Sequence, residues 1–124
     1  MRQVLLIIGP PGSGKSTHAQ QSGLTHHERE HYGSDKAFKA AAANAARQPN
    51  AQLAIVRCCP THAEQREWEP HTNPTTTTAL DIPAAECARR IHQRHRKNWR
   101  GEIQAAKRWH QLRNELEPVA SRTW

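Results

Sequence analysis

The sequence predicts an α/β fold, in which a small and mostly parallel β-sheet is sandwiched by helices. Three observations predict it. Short strand-like runs alternate with helical stretches along the chain, which is the order of βαβ units. The first run is continuously apolar, as in a strand buried on both faces, and a glycine-rich loop joins it to the first helix. With 124 residues and a hydrophobic fraction of 35%, we expect a single domain, 1–124.

The elements of the first half follow from apolar runs and helix propensity. Residues 3–8 (QVLLII) form the first strand, and residues 15–22 form the helix that starts directly after the glycine-rich loop. A weaker extended stretch at 30–34 would bring Asp35 to the end of a strand. The alanine-rich residues 35–48 have high helix propensity and end at a proline.

The second half adds two strands and three helices. Residues 51–59 (AQLAIVRCC) form a buried strand, and a short helix at 60–69 begins with Thr61 as its cap. Because threonine is β-branched, the run TTTTAL predicts a strand at 76–80. A basic helix at 84–100 precedes an amphipathic helix at 101–117, whose apolar stripe consists of Ile103, Ala106, Trp109, Leu112 and Leu116.

Charge and cysteine content bear on the partners and the compartment of the protein. Its 18 Lys and Arg residues against 11 Asp and Glu give a net charge of +7, which favours nucleic acid or nucleotides as partners. Cys58, Cys59 and Cys87 have no metal-ligand spacing, and we interpret them as reduced packing residues. No apolar run approaches the roughly 20 residues of a membrane span. None has the pattern of a signal peptide. We therefore expect a cytoplasmic protein with no membrane partner.

One motif carries specific chemistry. Residues 9–17, which we call the phosphate loop, match the pattern GxxxxGK[ST] between a predicted strand and a predicted helix. Glycines let backbone N–H groups turn towards phosphate oxygens, and the helix points its positive end at the same anion. Lys15 would reach the β- and γ-phosphates of ATP or another nucleoside triphosphate, and Ser16 would ligate Mg²⁺. The predicted nucleotide-binding residues are Gly9, Pro10, Pro11, Gly12, Ser13, Gly14, Lys15, Ser16 and Thr17.

Other features narrow the class of P-loop protein. The sequence has no Asn/Thr-Lys-x-Asp element of the kind that reads guanine in GTPases. The strand at 51–59 contains Arg57 and Cys58 where AAA-type motors have paired acids. A basic lid region around 84–100 suits a kinase, in which lid arginines stabilise the charge of the transferring phosphoryl group.

Four segments, in this order, resemble the 5′-kinase domain of bacteriophage polynucleotide kinases: IIGPPGSGKST (7–17), GSDKAFK (33–39), PTHAEQREWE (60–69) and LDIPAAECARRIHQR (80–94). Together they cover about a third of the chain. The resemblance implies a P-loop kinase that uses ATP and Mg²⁺. It also implies a viral source and action in the host cytoplasm.

The resemblance also implies roles for individual residues. Asp35 stands where the family has the carboxylate that accepts the proton of the attacking 5′-hydroxyl. Arg90 and Arg94 stand where the family has lid arginines that grip the phosphates of the donor. These two arginines are four residues apart and share one helix face. With Lys15, they complete the predicted catalytic set.

The chain departs from the family at two positions. Arg57 stands where the family has an acid at the end of the third strand. Phe38 stands where it has an arginine for the acceptor's phosphate, with Lys36 or Lys39 as substitutes.

Histidine and tryptophan residues are interpreted as structural. His26, His27 and His31 have no carboxylate or cysteine at ligand spacing and indicate an exposed loop. Trp68, Trp99 and Trp109 have apolar neighbours at helical spacing, which indicates core rather than base stacking.

The predicted function is the transfer of the γ-phosphate of ATP to a nucleic-acid 5′-hydroxyl. One alternative is a kinase for nucleosides or nucleoside monophosphates, with a closed acceptor pocket. Another is an ATP-binding or ATPase subunit of a phage DNA-processing or packaging assembly, which the basic residue at Arg57 keeps open.

Overall fold

The computed structural model describes residues 1–59 and 61–121, and the side chains within these ranges up to Arg113. Its described strands form one sheet: β1 (Gln3–Ile8), β2 (Thr25–Glu28), β3 (Gln52–Arg57) and β4 (Thr76–Ala79). All pairs are parallel, and the strand order is β2-β3-β1-β4. The chain leaves β1 towards one edge of the sheet and later returns to the other edge. The carboxyl ends of β1 and β3 therefore flank a topological switch point, which is where ligands bind in open α/β sheets.

Five helices surround the sheet in the described part of the chain. They are α1 (Lys15–Ser22), α2 (Asp35–Ala46), α3 (His62–Thr72), α4 (Ala84–Arg94) and α5 (Trp99–Ser121), with a 3₁₀ turn at Arg29–His31. None of the described helices is long and apolar enough to span a membrane.

Two apolar clusters cover the faces of the sheet. On one face, Phe38 of α2 and Trp68 of α3 pack against strand residues such as Leu6 and Ile55, with the two aromatic rings 5.0 Å apart. On the other face, Ala19 of α1 packs in a cluster with residues of β1 and β3. Helices therefore lie on both sides of the parallel sheet, as the sequence predicted.

A third cluster joins α4 to α5. Cys87 and Ile91 of α4 are fully buried against Ala106 of α5, with Trp99 and Ile103 partly buried beside them. The indole N–H of Trp109 donates a hydrogen bond of 2.7 Å to the carbonyl oxygen of Cys58. This bond fixes α5 at the carboxyl end of β3.

Most elements lie where the sequence placed them, and two differ. The extended stretch predicted at 30–34 is wrong. The strand in this region is Thr25–Glu28, and the 3₁₀ turn at Arg29–His31 follows it. The basic helix predicted at 84–100 ends at Arg94, because His95 adopts a left-handed conformation (φ 53°). The predicted cap Thr61 is confirmed, since its hydroxyl accepts a hydrogen bond from the Glu64 N–H. Leu116 lies outside the described side chains.

Candidate functional site

The phosphate loop is folded as a cradle. Gly12 and Gly14 both have positive φ, 80° and 91°, which side chains other than glycine rarely adopt. At Gly12 a Cβ atom would also lie 2.7 Å from the Cys87 carbonyl oxygen, because α4 packs directly on the loop. Gly14 precedes α1, whose first turn has no side-chain cap, so its N–H groups are available to an anion.

Lys15 is a cation held inside the loop. Its ammonium group donates a hydrogen bond of 2.8 Å to the carbonyl oxygen of Pro10. Burial lowers the pKa of Lys15 from its ordinary value, and Arg94 nearby adds to this shift. No carboxylate among the described side chains forms an ion pair with Lys15. The charge is therefore available to a bound phosphate.

The carboxylate of Glu28, which the sequence analysis missed, lies next to Ser16. The Ser16 hydroxyl donates a hydrogen bond of 2.5 Å to Glu28, the last residue of β2. Potential ligand atoms of Glu28, Glu30 and His31 lie within 4.8 Å of one another. The expectation that His31 has no carboxylate partner is therefore wrong. The residues of β2 (THHE) contain no apolar run. The two acids Glu28 and Glu30 were therefore the sequence signal that could have indicated this strand end.

The set of donors next to Ser16 fits a hard divalent cation. A serine hydroxyl and carboxylate oxygens are ligands that Mg²⁺ prefers. The hydroxyl of Ser13 is buried and has no hydrogen-bond partner among the described residues, and a phosphate oxygen in the loop would supply one. These donors would suit a phosphate in the loop and a cation at Ser16, and that assignment stays a prediction.

A cleft of about 620 Å³, which we call the main cleft, opens beside the loop at the switch point of the sheet. Its charged lining residues come from the loop, from the turn after β2, from the end of β3 and from the region where α4 meets α5. They are Lys15, Glu28, Arg29, Glu30, Arg57, Arg94, Arg96 and Glu102.

A second cavity, of about 590 Å³, lies on the other side of the loop and faces α4. It shares Gly12, Gly14, Thr17 and Arg94 with the main cleft and adds apolar contacts from Leu80 and Ile82. The two cavities meet at the phosphate loop. A molecule with a phosphate chain and a flat apolar group could lie in this second cavity with its phosphates in the loop.

Arg90 and Arg94 both lie near the loop, as predicted. One guanidinium nitrogen of Arg90 lies 3.4 Å from the Gly12 carbonyl oxygen, and Arg90 also pairs with Glu86 at 3.1 Å. Hydrogen bonds from Arg89, and more weakly from Arg90, lower the pKa of Glu86 to about 2. Arg94 is held by Glu102 at 3.3 Å and lines both cavities, whereas Arg90 lines the second cavity.

Asp35 lies beside the main cleft and is not one of its lining residues. It is the first residue of α2, and Ser34 rather than Asp35 caps that helix, accepting a hydrogen bond from the Ala37 N–H. One carboxylate oxygen of Asp35 accepts a hydrogen bond of 2.6 Å from Arg29 and lies 3.7 Å from Arg57. Asp35 therefore holds two arginines that themselves line the cleft.

The positions where the chain departs from the phage kinases have structural explanations. Phe38 is fully buried in the core and has no access to an acceptor. Lys39 is held by an ion pair with Glu67, while Lys36 is exposed. Arg57 stacks over the Trp68 ring, 5.6 Å from its centroid, besides its contact with Asp35. The charge at the end of β3 is thus opposite in sign to the one that the resemblance to phage kinases would imply, and Asp35 partly balances it.

The tryptophan and cysteine residues lie mainly as predicted, whereas the exposed loop expected at His26 and His27 is wrong, because both are half-buried in β2. Trp68 and Trp109 are buried and Trp99 is half-buried. Cys59 is buried and its pKa is raised by burial to about 12, as expected of a packing residue. Cys58 differs, because it lines the main cleft. Both cysteines follow β3 rather than lie within it.

Comparisons with known proteins place this site in a known fold. No protein-family model matches the sequence, and no curated protein matches it significantly. A gluconokinase from Sinorhizobium meliloti 1021 is similar in structure, with a TM-score of 0.61 and 17% sequence identity, over 96% of this chain and 81% of that chain. A shikimate kinase from Acinetobacter baumannii, solved in complex with shikimate, has a TM-score of 0.53 and 12% identity, over 91% of this chain and 81% of its own.

These similarities confirm the predicted fold class: the chain has an α/β P-loop kinase-like fold. Neither neighbour is a polynucleotide kinase, so the resemblance to that phage family stays a prediction.

Proposed function

We propose that this protein is an ATP- and Mg²⁺-dependent phosphotransferase that moves the γ-phosphoryl group to a hydroxyl group of an acceptor. One observation carries the proposal. The cation of Lys15 and the hydroxyl of Ser16 stand at the edge of a cleft that also contains carboxylates and arginines, with Glu28 hydrogen-bonded to Ser16. A protein that only binds a nucleotide does not need a charged cleft, such as the main cleft, beside the position of the γ-phosphate.

The donor would lie across the phosphate loop. The loop amides and Lys15 hold its phosphates, and the second cavity takes its nucleoside, with Arg90 and Arg94 on the α4 side. Ser16 and Glu28 would hold Mg²⁺, which neutralises charge on the phosphate oxygens when it is bound. The two arginines would stabilise the charge that spreads over the transferring group.

The transfer needs a base in the main cleft. The acceptor oxygen forms a bond to the γ-phosphorus while the bond from that phosphorus to its bridging oxygen breaks, so that ADP leaves and the hydroxyl proton moves to a carboxylate. Glu30 lines the cleft. Asp35 does not line it and contacts Arg29 and Arg57, which do. We therefore propose Glu30 as the base, with Asp35, the carboxylate predicted from sequence, as the competing candidate.

Two variants separate these candidates. We expect Glu30→Gln to lower kcat by about 100-fold or more while ATP affinity is kept, because a general base contributes in that range. We expect Asp35→Asn to act mainly through a higher KM for the acceptor, because Arg29 and Arg57 lose their anchor. The reverse pattern, a loss of kcat in Asp35→Asn with Glu30→Gln nearly normal, would assign the proton transfer to Asp35.

For the acceptor we propose the 5′-hydroxyl of a nucleic acid. The net charge of +7 and the arginines around the main cleft favour a polyanion. A nucleoside or nucleoside monophosphate is the second candidate, because a cleft of about 620 Å³ is within the range of small-molecule sites.

The test is transfer of labelled γ-phosphate from ATP to a panel of acceptors: an oligonucleotide with a free 5′-hydroxyl, nucleosides and nucleoside monophosphates. Label on the oligonucleotide, absent in Lys15→Ala, supports the polynucleotide acceptor. Label that appears on mononucleotides alone supports the second candidate. Release of free phosphate with every acceptor would reject the proposal and favour an ATPase subunit.

A further inference from the structure

We propose that the exposed side of α5 binds the phosphate backbone of a single-stranded nucleic acid whose 5′ end reaches the main cleft. We call this surface the basic face; it consists of Lys97, in the turn before α5, and of Arg100, Gln104, Lys107 and Arg108 on α5. The inference rests on the proposed function, because it specifies how the acceptor is held. The ligand class is a chain of phosphodiesters rather than a single phosphate group.

The basic face lies in the most strongly charged stretch of the chain. Six of the 18 Lys and Arg residues fall between Arg94 and Arg108, and the stretch contains one acid, Glu102. The rest of the chain, with twelve cations and ten acids, is close to balanced. Most of the net charge of the protein, +5 of +7, is thus concentrated in this stretch, which runs from the end of α4 into α5.

The cations of the basic face also form no ion pair with a described carboxylate, in contrast to many of the other cations. Ion pairs with carboxylates hold Arg29, Lys39 and Arg89. Among the described side chains, no carboxylate forms an ion pair with Lys97, Arg100, Lys107 or Arg108, although Arg100 stacks on the Trp99 ring. Exposed like charges without counter-charges repel one another, and a polyanion along the helix would relieve that repulsion.

The spacing of these residues puts them on a single line. Arg100, Gln104, Lys107 and Arg108 are exposed and recur at intervals of three and four, so they share the side of α5 opposite the buried Ala106 and Trp109. From Arg100 to Arg108 the line is about 12 Å long at 1.5 Å per residue. It begins next to Arg94 and Arg96, which line the main cleft. A strand on this line would have its end directed at the phosphate loop.

The surface favours nucleic acid over an anionic membrane. Helices that lie on membranes combine basic residues with exposed aromatic or aliphatic side chains. Within the described part of the chain, Met1 is the one exposed large hydrophobic residue, and it is distant in sequence from α5. The Gln104 amide lies among the cations and can donate to a phosphate oxygen as well.

The test compares two variants of equal charge. Lys107→Gln/Arg108→Gln removes two cations from the basic face, and Arg47→Gln/Arg66→Gln removes two exposed cations, one directly after α2 and one on α3. Binding of a fluorescein-labelled single-stranded oligonucleotide with a free 5′-hydroxyl is measured by anisotropy without ATP, at several salt concentrations. Circular dichroism confirms that both variants are folded.

We expect the basic-face variant to bind about 10-fold more weakly than the wild type, and the control to bind almost normally. The plot of the logarithm of the association constant against the logarithm of the salt concentration should become less steep by about 1.4, because each phosphate contact contributes about 0.7 on a single strand. Equal loss in both variants would overturn the proposal, since it would show a non-specific charge effect. Loss of binding to anionic vesicles, with oligonucleotide binding unchanged, would overturn it as well.

Transfer assays on the same variants keep the two proposals apart. If the basic-face variant raises KM for a long oligonucleotide but leaves transfer to a dinucleotide unchanged, both the function and the surface are supported. If oligonucleotide binding depends on the basic face while no acceptor is phosphorylated, the surface stands and the kinase proposal fails. If transfer occurs and neither variant affects oligonucleotide binding, the kinase proposal stands and the surface is rejected.

Discussion

At the scale of the residue, Lys15 is the cation of the phosphate loop that the proposed function places against the phosphates of ATP. Its ammonium group is held by the Pro10 carbonyl oxygen, with no ion pair among the described carboxylates. A half-buried cation without a counter-charge reduces stability, and such a cost is expected if Lys15 binds an anion, as proposed. The lowered pKa of Lys15 is the physical sign of this arrangement.

This lowered pKa predicts a pH dependence of ATP binding. Burial lowers the pKa of Lys15 from 10.5, so the lysine loses its proton at a lower pH than a free lysine does. We expect ATP affinity, measured by calorimetry, to decline on the alkaline side at a pH below 10.5. Lys15→Arg keeps its charge through this window and is the control. An equal decline in both proteins would show that another group is responsible.

The same shift has a consequence for the stability of the free protein, with a defined sign. Between the folded pKa of Lys15 and 10.5, the unfolded chain binds the proton more tightly than the folded chain does. The contribution of Lys15 to the free energy of unfolding therefore rises with pH through that window.

At the scale of the elements, α4 and α5 form a unit around Arg94 and Arg96. α4 packs on the loop at Gly12, and α5 is tied to β3 through Trp109. Between them, Glu102 of α5 holds both Arg94 and Arg96, at 3.3 and 3.5 Å. In the proposed function Arg94 contacts the phosphates of the donor, and its ion pair with Glu102 would compete with that contact.

We therefore expect Glu102→Gln to bind ATP about 2- to 5-fold more tightly, because the cost of breaking a partly exposed ion pair is removed. The measurement is the Kd for ATP with Mg²⁺. Glu67→Gln breaks the Lys39 ion pair away from the main cleft and is the control. Unchanged or weaker ATP binding in Glu102→Gln would mean that Glu102 does not compete with the nucleotide.

The start of α3 offers a test of a single cap. The Thr61 hydroxyl accepts a hydrogen bond of 3.1 Å from the Glu64 N–H. Thr61→Ala should lower the free energy of unfolding by about 1 kcal/mol, measured in urea, because that N–H loses its partner. Thr61→Ser keeps the hydroxyl and should retain most of the stability. If the two variants are equally destabilised, the cap is not the cause.

At the scale of the whole molecule, the sequence predicts the fold better than it predicts the site. β1 and α1 occur with the predicted bounds, because a continuous apolar run, a glycine loop and a helix leave little choice. β2 was misplaced because it is an edge strand of mostly half-buried polar residues, with no apolar pattern. Glu28 and Glu30 were missed for the same reason, since their role depends on where β2 ends. The turn at His95 depends on packing between α4 and α5, which sequence periodicity does not report.

Binding of a nucleotide should stabilise the entire domain. A ligand that binds the folded but not the unfolded chain, at a free concentration of about 100 times its Kd, adds about 2.7 kcal/mol to the free energy of unfolding. For a domain of this size, we expect ATP with Mg²⁺ to raise the midpoint of thermal unfolding by about 10 °C. Lys15→Met should show little or no rise. A rise of the same size in that variant would place the nucleotide outside the phosphate loop.

The central claim is that this P-loop kinase-like fold transfers a phosphoryl group to a hydroxyl acceptor. Phosphorus NMR of ATP, Mg²⁺ and the acceptor with the protein tests this claim most directly, because it separates phosphomonoesters from inorganic phosphate. The account predicts that a phosphomonoester resonance grows together with ADP, and that neither appears with Lys15→Met. ADP with inorganic phosphate as the sole other product would contradict the account.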